Sequence, residues 1–486
     1  MSLDNRSRWI ALYVLCLGDI MIVLDGTIVN VALPTIRDDL GFSQTSLAWV
    51  VNAYLLTFGG FLLLGGRLGD LFGHRRLFLT GIGIFTAASL ACGLSTSQEM
   101  LIVSRAVQGV GGAIVSAVAL SLLMTLFTEP ADRAKAMGIF GFVLSGGGVI
   151  GVLAGGFLTD LLNWHWIFLV NIPVGVLVYV LSMRLLPASQ GPAATGRVDF
   201  AGAITVTAAL MLAVYAIVNG NEAGWTSTQT LGLLGGSAAL IGAFLVIESR
   251  VREPLVPLGL FRNRNVSTAN VVGALMAAGM FAYFFFSALY LQLVLEYTPM
   301  EVGLAYLPGT IVWGASSALL SERLVMRYGI RKPLLAGLTL MFVAVVLLAR
   351  TPVDGDWALD ILPATLALGL GAGIAFNPIL LAAMSGVAPQ EAGLASGVVN
   401  TSFMMGGAVG LAILASLANS KSDELVASGD GLLPSLNSGY HVAFLVGGAF
   451  LAAAAVGAAL LRVGSPQAHG AEEHFHGVPA TAEGDC

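Results

Sequence analysis

Apolar stretches of some 20 residues recur from one end of the 486-residue chain to the other, each closed by a short polar or glycine-rich break. A helix that crosses a bilayer needs about 20 predominantly apolar residues. On that ruler the pattern predicts fourteen helices, numbered 1 to 14 in chain order, near 10–33, 46–66, 77–95, 99–127, 136–160, 166–186, 198–219, 229–249, 266–292, 302–320, 333–350, 360–384, 393–418 and 439–463. No polar block large enough for a soluble domain separates them, so the membrane is the solvent for the whole core. The even count puts both chain ends on one side and makes Asn419 to Ser438 the last loop on the other.

Composition sharpens this: 57% of residues are apolar and 10% charged, where a soluble domain carries about 25% charge. The N-terminus has a short polar lead and then an apolar run, Trp9 to Leu33, too long for a signal peptide core and without a small-residue cleavage site, so it reads as a retained helix. With the termini inside, 18 of the 22 Lys and Arg fall on the cytoplasmic side. Arg37, Arg350 and Lys421 fall outside and Arg105 lies within a helix, so the positive-inside rule places both termini in the cytoplasm. The net charge of −6 and the lack of a basic run argue against a nucleic-acid partner. Cys16, Cys92 and Cys486 are too far apart in sequence for a CxxC metal motif or a disulfide framework. The six histidines lack zincin or hydrolase spacing, and there is no Walker A lysine. Neither an enzyme nor a metal or other cofactor is expected, and the tail 464–486, with His469, His474 and His476, reads as disordered.

The chain also repeats itself. Gly65 to Gly81 aligns with Ser321 to Gly337 at an offset of 256: Arg67, Leu68, Gly73, Arg75, Leu79 and Gly81 recur as Arg323, Leu324, Gly329, Arg331, Leu335 and Gly337. Pro130, Ala136 and Gly138 recur as Pro389, Ala395 and Gly397. At about 32 residues per span the offset equals eight helices, and an even number gives two parallel halves related by an axis along the membrane normal. The expected organisation is a six-helix bundle over 1–190, a linker with two extra helices over 191–262, a second six-helix bundle over 263–463 and the tail.

Four stretches carry chemistry. Between helices 2 and 3 lies Gly65-Gly66-Arg67-Leu68-Gly69-Asp70-Leu71-Phe72-Gly73-His74-Arg75-Arg76. Its glycines allow a tight turn and close helix approach, while Asp70 can pair with an arginine or cap a helix in one conformation only. Helix 1 holds Leu24-Asp25-Gly26-Thr27-Ile28-Val29-Asn30-Val31-Ala32-Leu33-Pro34. An intramembrane carboxylate costs several kcal/mol unless it faces water or a partner. Because burial penalises the charged form, Asp25 is suited to reversible protonation; a structural aspartate bonded to a neighbouring helix is the alternative. Asp19, about 120° around the helix and about 9 Å along it, cannot share a proton tightly with Asp25. Helix 4 holds Arg105-Ala106-Val107-Gln108-Gly109-Val110-Gly111-Gly112, whose arginine must find an anion or carbonyls. Helix 5 holds the small-residue run Gly141 to Gly156, which lets helices pack closely and slide.

Through these stretches the chain, up to about Arg462, resembles the fourteen-spanner drug:proton antiporter family of the major facilitator superfamily. Supporting likenesses are Trp164-His165-Trp166-Ile167-Phe168 with Asn171 and Pro173, and Tyr290-Leu291-Gln292. Four positions depart from the pattern: Asp19 stands where the family is neutral, His165 where it commonly has Arg, Glu296 where it often has Gly, and Gly151-Val152 where its antiporters usually carry Gly-Pro.

The resemblance implies a monomer in a bacterial cytoplasmic membrane that exports small amphipathic or cationic molecules by alternating access, driven by the proton gradient alone. Protons, a small-molecule substrate and the lipid bilayer are its implied partners. Asp25 would carry the proton, with Asp19 second and Arg105 tuning its release; Gly66, Arg67, Gly69, Asp70, Gly73, Arg75 and Arg76 would form a cytoplasmic latch. Asn30, Asn52, Tyr54, Gln108, Phe281, Phe284, Tyr290, Gln292 and Asn400 are the substrate-cavity candidates. The aromatic run around Phe281 to Phe286 is expected mostly to face lipid, and the Trp164–Trp166 pair to form an interfacial belt. A nutrient importer and a membrane receptor or scaffold remain as alternatives.

Overall fold

The structure is a computed structural model that describes residues 5–127, 129–186, 199–251, 254–385, 387 and 392–461. The tail, residues 187–198 and Pro389 lie outside the described residues, as do some side chains within helices, that of Asp70 among them.

The helices are Asn5–Leu40, Gln44–Phe72, His74–Gly93, Gln98–Leu126 and Pro130–Leu161 for helices 1 to 5. Helix 6 is Trp166–Leu169 followed by Asn171–Leu185, helix 7 is Phe200–Ala223 and helix 8 is Thr228–Arg250. Helix 9 runs Arg264–Leu289 and on through a π turn at Tyr290–Val294; helix 10 comprises Pro299–Ser316, a π turn Ser317–Ser321 and Glu322–Tyr328. Helix 11 is Arg331–Leu348, helix 12 is the π turn Trp357–Ile361 with Leu362–Met384, and helices 13 and 14 are Ala392–Ala427 and Leu432–Ala459. Among the described residues thirteen of these are long and apolar enough to cross a membrane. The fourteenth crossing is helix 5, whose 32 residues exceed the length a bilayer demands.

Alternating passages put Asn5 and Leu461 at one end of the molecule, the terminal end; the opposite is the far end. Helices 2, 4, 8 and 10, which begin at the far end, carry side-chain caps. Ser43, Ser97 and Ser227 accept from the backbone N–H groups of Ser46, Met100 and Thr230, and Thr298 forms a capping box with Glu301. These caps meet N–H groups that the helix itself leaves unpaired.

The expected last loop, Asn419 to Ser438, is mostly helix: helix 13 continues to Ala427 and helix 14 restarts at Leu432. Hydropathy marks where the bilayer ends, whereas a helix continues while its backbone bonds are supported. Here Ser422 bonds back to the Ala418 carbonyl and Lys421 pairs with Glu424.

The packing repeats with the sequence. Helices 3 and 4, 2 and 4, 1 and 5, 1 and 6, and 3 and 6 pack together, and eight helices later so do 11 and 12, 10 and 12, 9 and 13, 9 and 14, and 11 and 14. Two six-helix bundles result, joined by helix 2 on helix 13 and by helix 5 on helix 10. Helices 7 and 8 pack on each other, and helix 7 also leans on helices 2 and 13. Helix 8 is the most peripheral, with 11% of its crossing buried.

Two side-chain hydrogen bonds join the bundles among the described residues, both near the far end: Gln292 Nε2 donates to the Val31 carbonyl at 2.8 Å, and Asn419 Nδ2 to Thr45 Oγ1 at 2.5 Å. The aromatic run on helix 9 does not face lipid: Tyr283, Phe285 and Phe286 are buried, and Phe281 and Phe284 partly so. Helix 9 is flanked by helices 12, 13 and 14, so its rings meet protein on several sides. Trp166 is exposed as a belt residue would be, but Trp164 is buried and donates through Nε1 to Asp39 at 2.9 Å.

Candidate functional site

Asp25 and Arg105 form an ion pair in the middle of the first bundle, with side chains 0% and 1% exposed. An unpaired charge at that depth would cost several kcal/mol, and five helices contribute to satisfying this one. Arg105 donates through Nη1 to Asp25 Oδ2 and, at 2.7 Å, to Gln108 Oε1, and through Nε to the Val50 carbonyl at 3.0 Å. Asp25 Oδ1 accepts from Gln108 Nε2 at 2.8 Å and from Asn171 Nδ2 at 3.1 Å; both amides also donate to Ser89 Oγ, at 2.9 Å. The guanidinium lies 4.3 Å from the Tyr54 ring centroid and 5.6 Å from that of Phe168, the arrangement of a cation–π contact.

Asp19 lies apart from this network. Ser116 Oγ donates to its Oδ1 at 3.0 Å, and the buried Oδ2 has no partner among the described residues. Helix 5 lays glycines against helix 1 one turn apart: a Cβ at Gly147 would press on Ile20, at Gly151 on the Thr27 hydroxyl and at Gly155 on the Ile28 carbonyl. Spacing of four keeps the three on one face, so the helix that bears both acids rests on a track without side chains.

The stretch after helix 2 closes in a single residue. Gly73 adopts φ 91°, its N–H donates to the Gly69 carbonyl, and helix 3 starts at His74. Gly69 approaches helix 4 so closely that a Cβ would meet Val118 at 2.7 Å, whereas Gly66 has open space. Arg75 donates to the Met183 carbonyl at the end of helix 6, Arg76 is exposed and Arg67 is engaged. In the second half Gly329 makes the corresponding turn at φ 74°.

The cavity candidates do not converge. Gln108 and Tyr54 belong to the charged centre, and Asn30 donates to the Gly26 and Thr27 carbonyls of its own helix. Gln292 joins the bundles, and Tyr290 donates to the Pro352 carbonyl at 2.6 Å. Phe281 and Phe284 sit in the second bundle, Phe281 beside Phe403, and Asn400 is partly buried on helix 13. Asn52 is fully buried, and among the described residues neither atom of its amide has a partner. It lies seven residues, two helical turns, from both Thr45 and Gly59, which face helix 13 at Asn419 and at Met404.

Residues 15–411 match the family model described as the Major Facilitator Superfamily. The chain belongs to this superfamily. It is 40% identical over 409 residues to the puromycin resistance protein of Streptomyces alboniger, covering 84% of this chain and 81% of the relative. To the cephamycin export protein of Amycolatopsis lactamdurans it is 37% identical over 413 residues, covering 84% and 85%. In fold it is similar to an auto-inhibited peptide transporter of the POT family, with a TM-score of 0.68 at 15% identity over 95% of this chain and 98% of that one.

The chain is thus a multi-pass membrane protein of a transporter superfamily, not an enzyme. Sequence reading had not placed Ser89, Asn171, Ser116 or Val50 in a site of this superfamily fold. Asn171 stood in a motif without a role, while Val50 contributes only a carbonyl and so leaves no side-chain signal.

Proposed function

We propose that this chain exports small amphipathic or cationic molecules across a bacterial cytoplasmic membrane in exchange for protons, with the terminal end in the cytoplasm. Export is supported by kinship to proteins named for puromycin resistance and cephamycin export. The observation that carries the coupling is the fully buried Asp25–Arg105 pair. A proton arriving on Asp25 removes the negative charge that holds Arg105, leaving the guanidinium with Gln108 and the Val50 carbonyl. Helix 1 is then held less tightly to helix 4. Val31, which receives Gln292 from the other bundle, is six residues or about 9 Å along the same helix, so one rod links the carboxyl to the joint between bundles. Asp19 is the second acid on that rod. The stretch from Gly66 to Arg76, the end of helix 2, the turn at Gly73 and the start of helix 3, acts as a latch by that tight turn and its basic residues.

The test is accumulation of a fluorescent cation in cells that express the protein. Lower accumulation than in control cells, abolished by a protonophore, is the expected result. Higher accumulation would mean import, and no change would favour a receptor or scaffold.

A further inference from the structure

Away from the charged centre, a cavity of about 290 Å³ lies where helices 7 and 8 meet the joint between helices 2 and 13. Leu63, Val398, Met405, Val206 and Phe244 wall it, and Leu255 stands in the lining from the linker. Two hydroxyls reach the lining, those of Thr401 and Ser402, and the second is committed to Asn270 Oδ1 at 2.7 Å. A buried water needs two to four polar partners, so this space suits a hydrocarbon chain rather than solvent.

Its depth also fits a chain. Gly60, in the lining, is twelve residues from the end of helix 2, and Met405 is thirteen from the start of helix 13. At 1.5 Å per residue that is about 18–20 Å from the terminal end, comparable to one leaflet of a hydrocarbon core about 30 Å thick. Two lining residues on the perimeter are exposed, Leu245 at 46% and Phe261 at 37%, which gives the cavity a lateral mouth toward lipid. Three exposed arginines cluster in sequence at this rim: Arg250 ends helix 8, Arg262 follows Phe261 and Arg264 opens helix 9. None of them makes an ion pair within the described residues. The neighbouring acids Asp199 and Glu248 are buried and accept from the backbone of Gly202 and Val256.

We propose that the cavity takes one acyl chain of an anionic phospholipid from the leaflet at the terminal end, with the headgroup on Arg250, Arg262 and Arg264. Because helix 2 and helix 13 belong to different bundles, the chain wedges the joint on which they move.

Nanodiscs of phosphatidylcholine containing a phosphatidylglycerol probe with a photoreactive acyl terminus test this on the intact protein. Crosslinks should concentrate on helices 7 and 13 at the cavity residues. Juxtamembrane arginines attract anionic lipid individually, so the triple change Arg250→Gln, Arg262→Gln, Arg264→Gln should cut that labelling by about a hundredfold. Val206→Trp, which fills the cavity, should abolish it; should that variant not fold, the surface arginine variant alone decides. Equal labelling by a phosphatidylcholine probe, labelling spread evenly around the perimeter, or no response to the arginine changes would overturn the proposal. So would displacement by a cationic dye but not by unlabelled phosphatidylglycerol, which would make the cavity a passage for substrate.

Discussion

Helix 1 buries a carboxylate on an arginine; helix 9, its counterpart in the second half, buries a row of rings. Offsets of 256 and 259 residues lead from Asp25 to Phe281 and Phe284, and the larger leads from Arg105 to Ala364 and from Gln108 to Ala367. Around Phe284 the second bundle has Trp313 stacked at 6.4 Å and Tyr306 edge-on at 5.8 Å, with Tyr306 and Ser287 hydroxyls 2.6 Å apart. The backbone frame is common to both halves, down to the positive φ of Gly73 and Gly329. One scaffold thus carries two chemistries: charge that can be gained and lost in the first half, apolar contact area in the second.

The severest way to break this comparison is Arg105→Ala, which strands Asp25 without a cation. Removing one partner of a buried pair costs about 3–5 kcal/mol, so thermal unfolding in detergent should fall sharply and little folded protein should be recovered. Changing both, Asp25→Asn with Arg105→Gln, should restore most of the melting temperature without restoring export. A double variant as unstable as the single one would show that charge balance does not hold the centre together.

Asp25→Asn alone asks whether the charged half does the coupling. Proton movement in vesicles and gradient-driven export should both drop to background. Persistent export against a gradient would pass the role to Asp19.

In the aromatic half effects should be smaller and should not touch coupling. Phe284→Ala should cost less than the roughly 3–5 kcal/mol of a fully buried ring, because Phe284 is partly exposed, and should weaken substrate affinity while protons still move. The shared frame is tested by Gly73→Ala and Gly329→Ala, each expected to cost about 1–3 kcal/mol because a side chain strains the positive-φ conformation. Unequal losses would mean that the two turns are not equivalent. The mildest change, Ser287→Ala, removes one hydroxyl pair and should lower stability by about 1 kcal/mol, again by thermal unfolding.

Much of this was legible in the sequence. Spans declare themselves because the bilayer excludes polar runs, and Asp25, Arg105 and Gln108 stand out as polar side chains within apolar stretches. The ends of helices 13 and 14 were not legible, since water supports a helix that hydropathy no longer marks. Ser89 and Ser116 gave no signal, because a serine within a span can bond its own backbone and needs no partner. Neither did the burial of Trp164, which depends on Asp39, 125 residues away. The rings of helix 9 misled for a related reason: consecutive aromatics point all round a helix, and only the neighbours decide which of them see lipid.

Asn52 gives the joint between the bundles an energetic sign. A buried polar group left without a partner costs about 1–3 kcal/mol, and among the described residues neither the donor nor the acceptor of this amide meets a protein partner. With no group of the protein among those residues to satisfy it, the amide depends on water. Any arrangement that brings water to Asn52 relieves that cost, and about 1.4 kcal/mol of relief shifts a two-state population tenfold. Packing holds the joint shut while a single side chain lowers the threshold for opening it, which keeps a large apolar contact from becoming a trap.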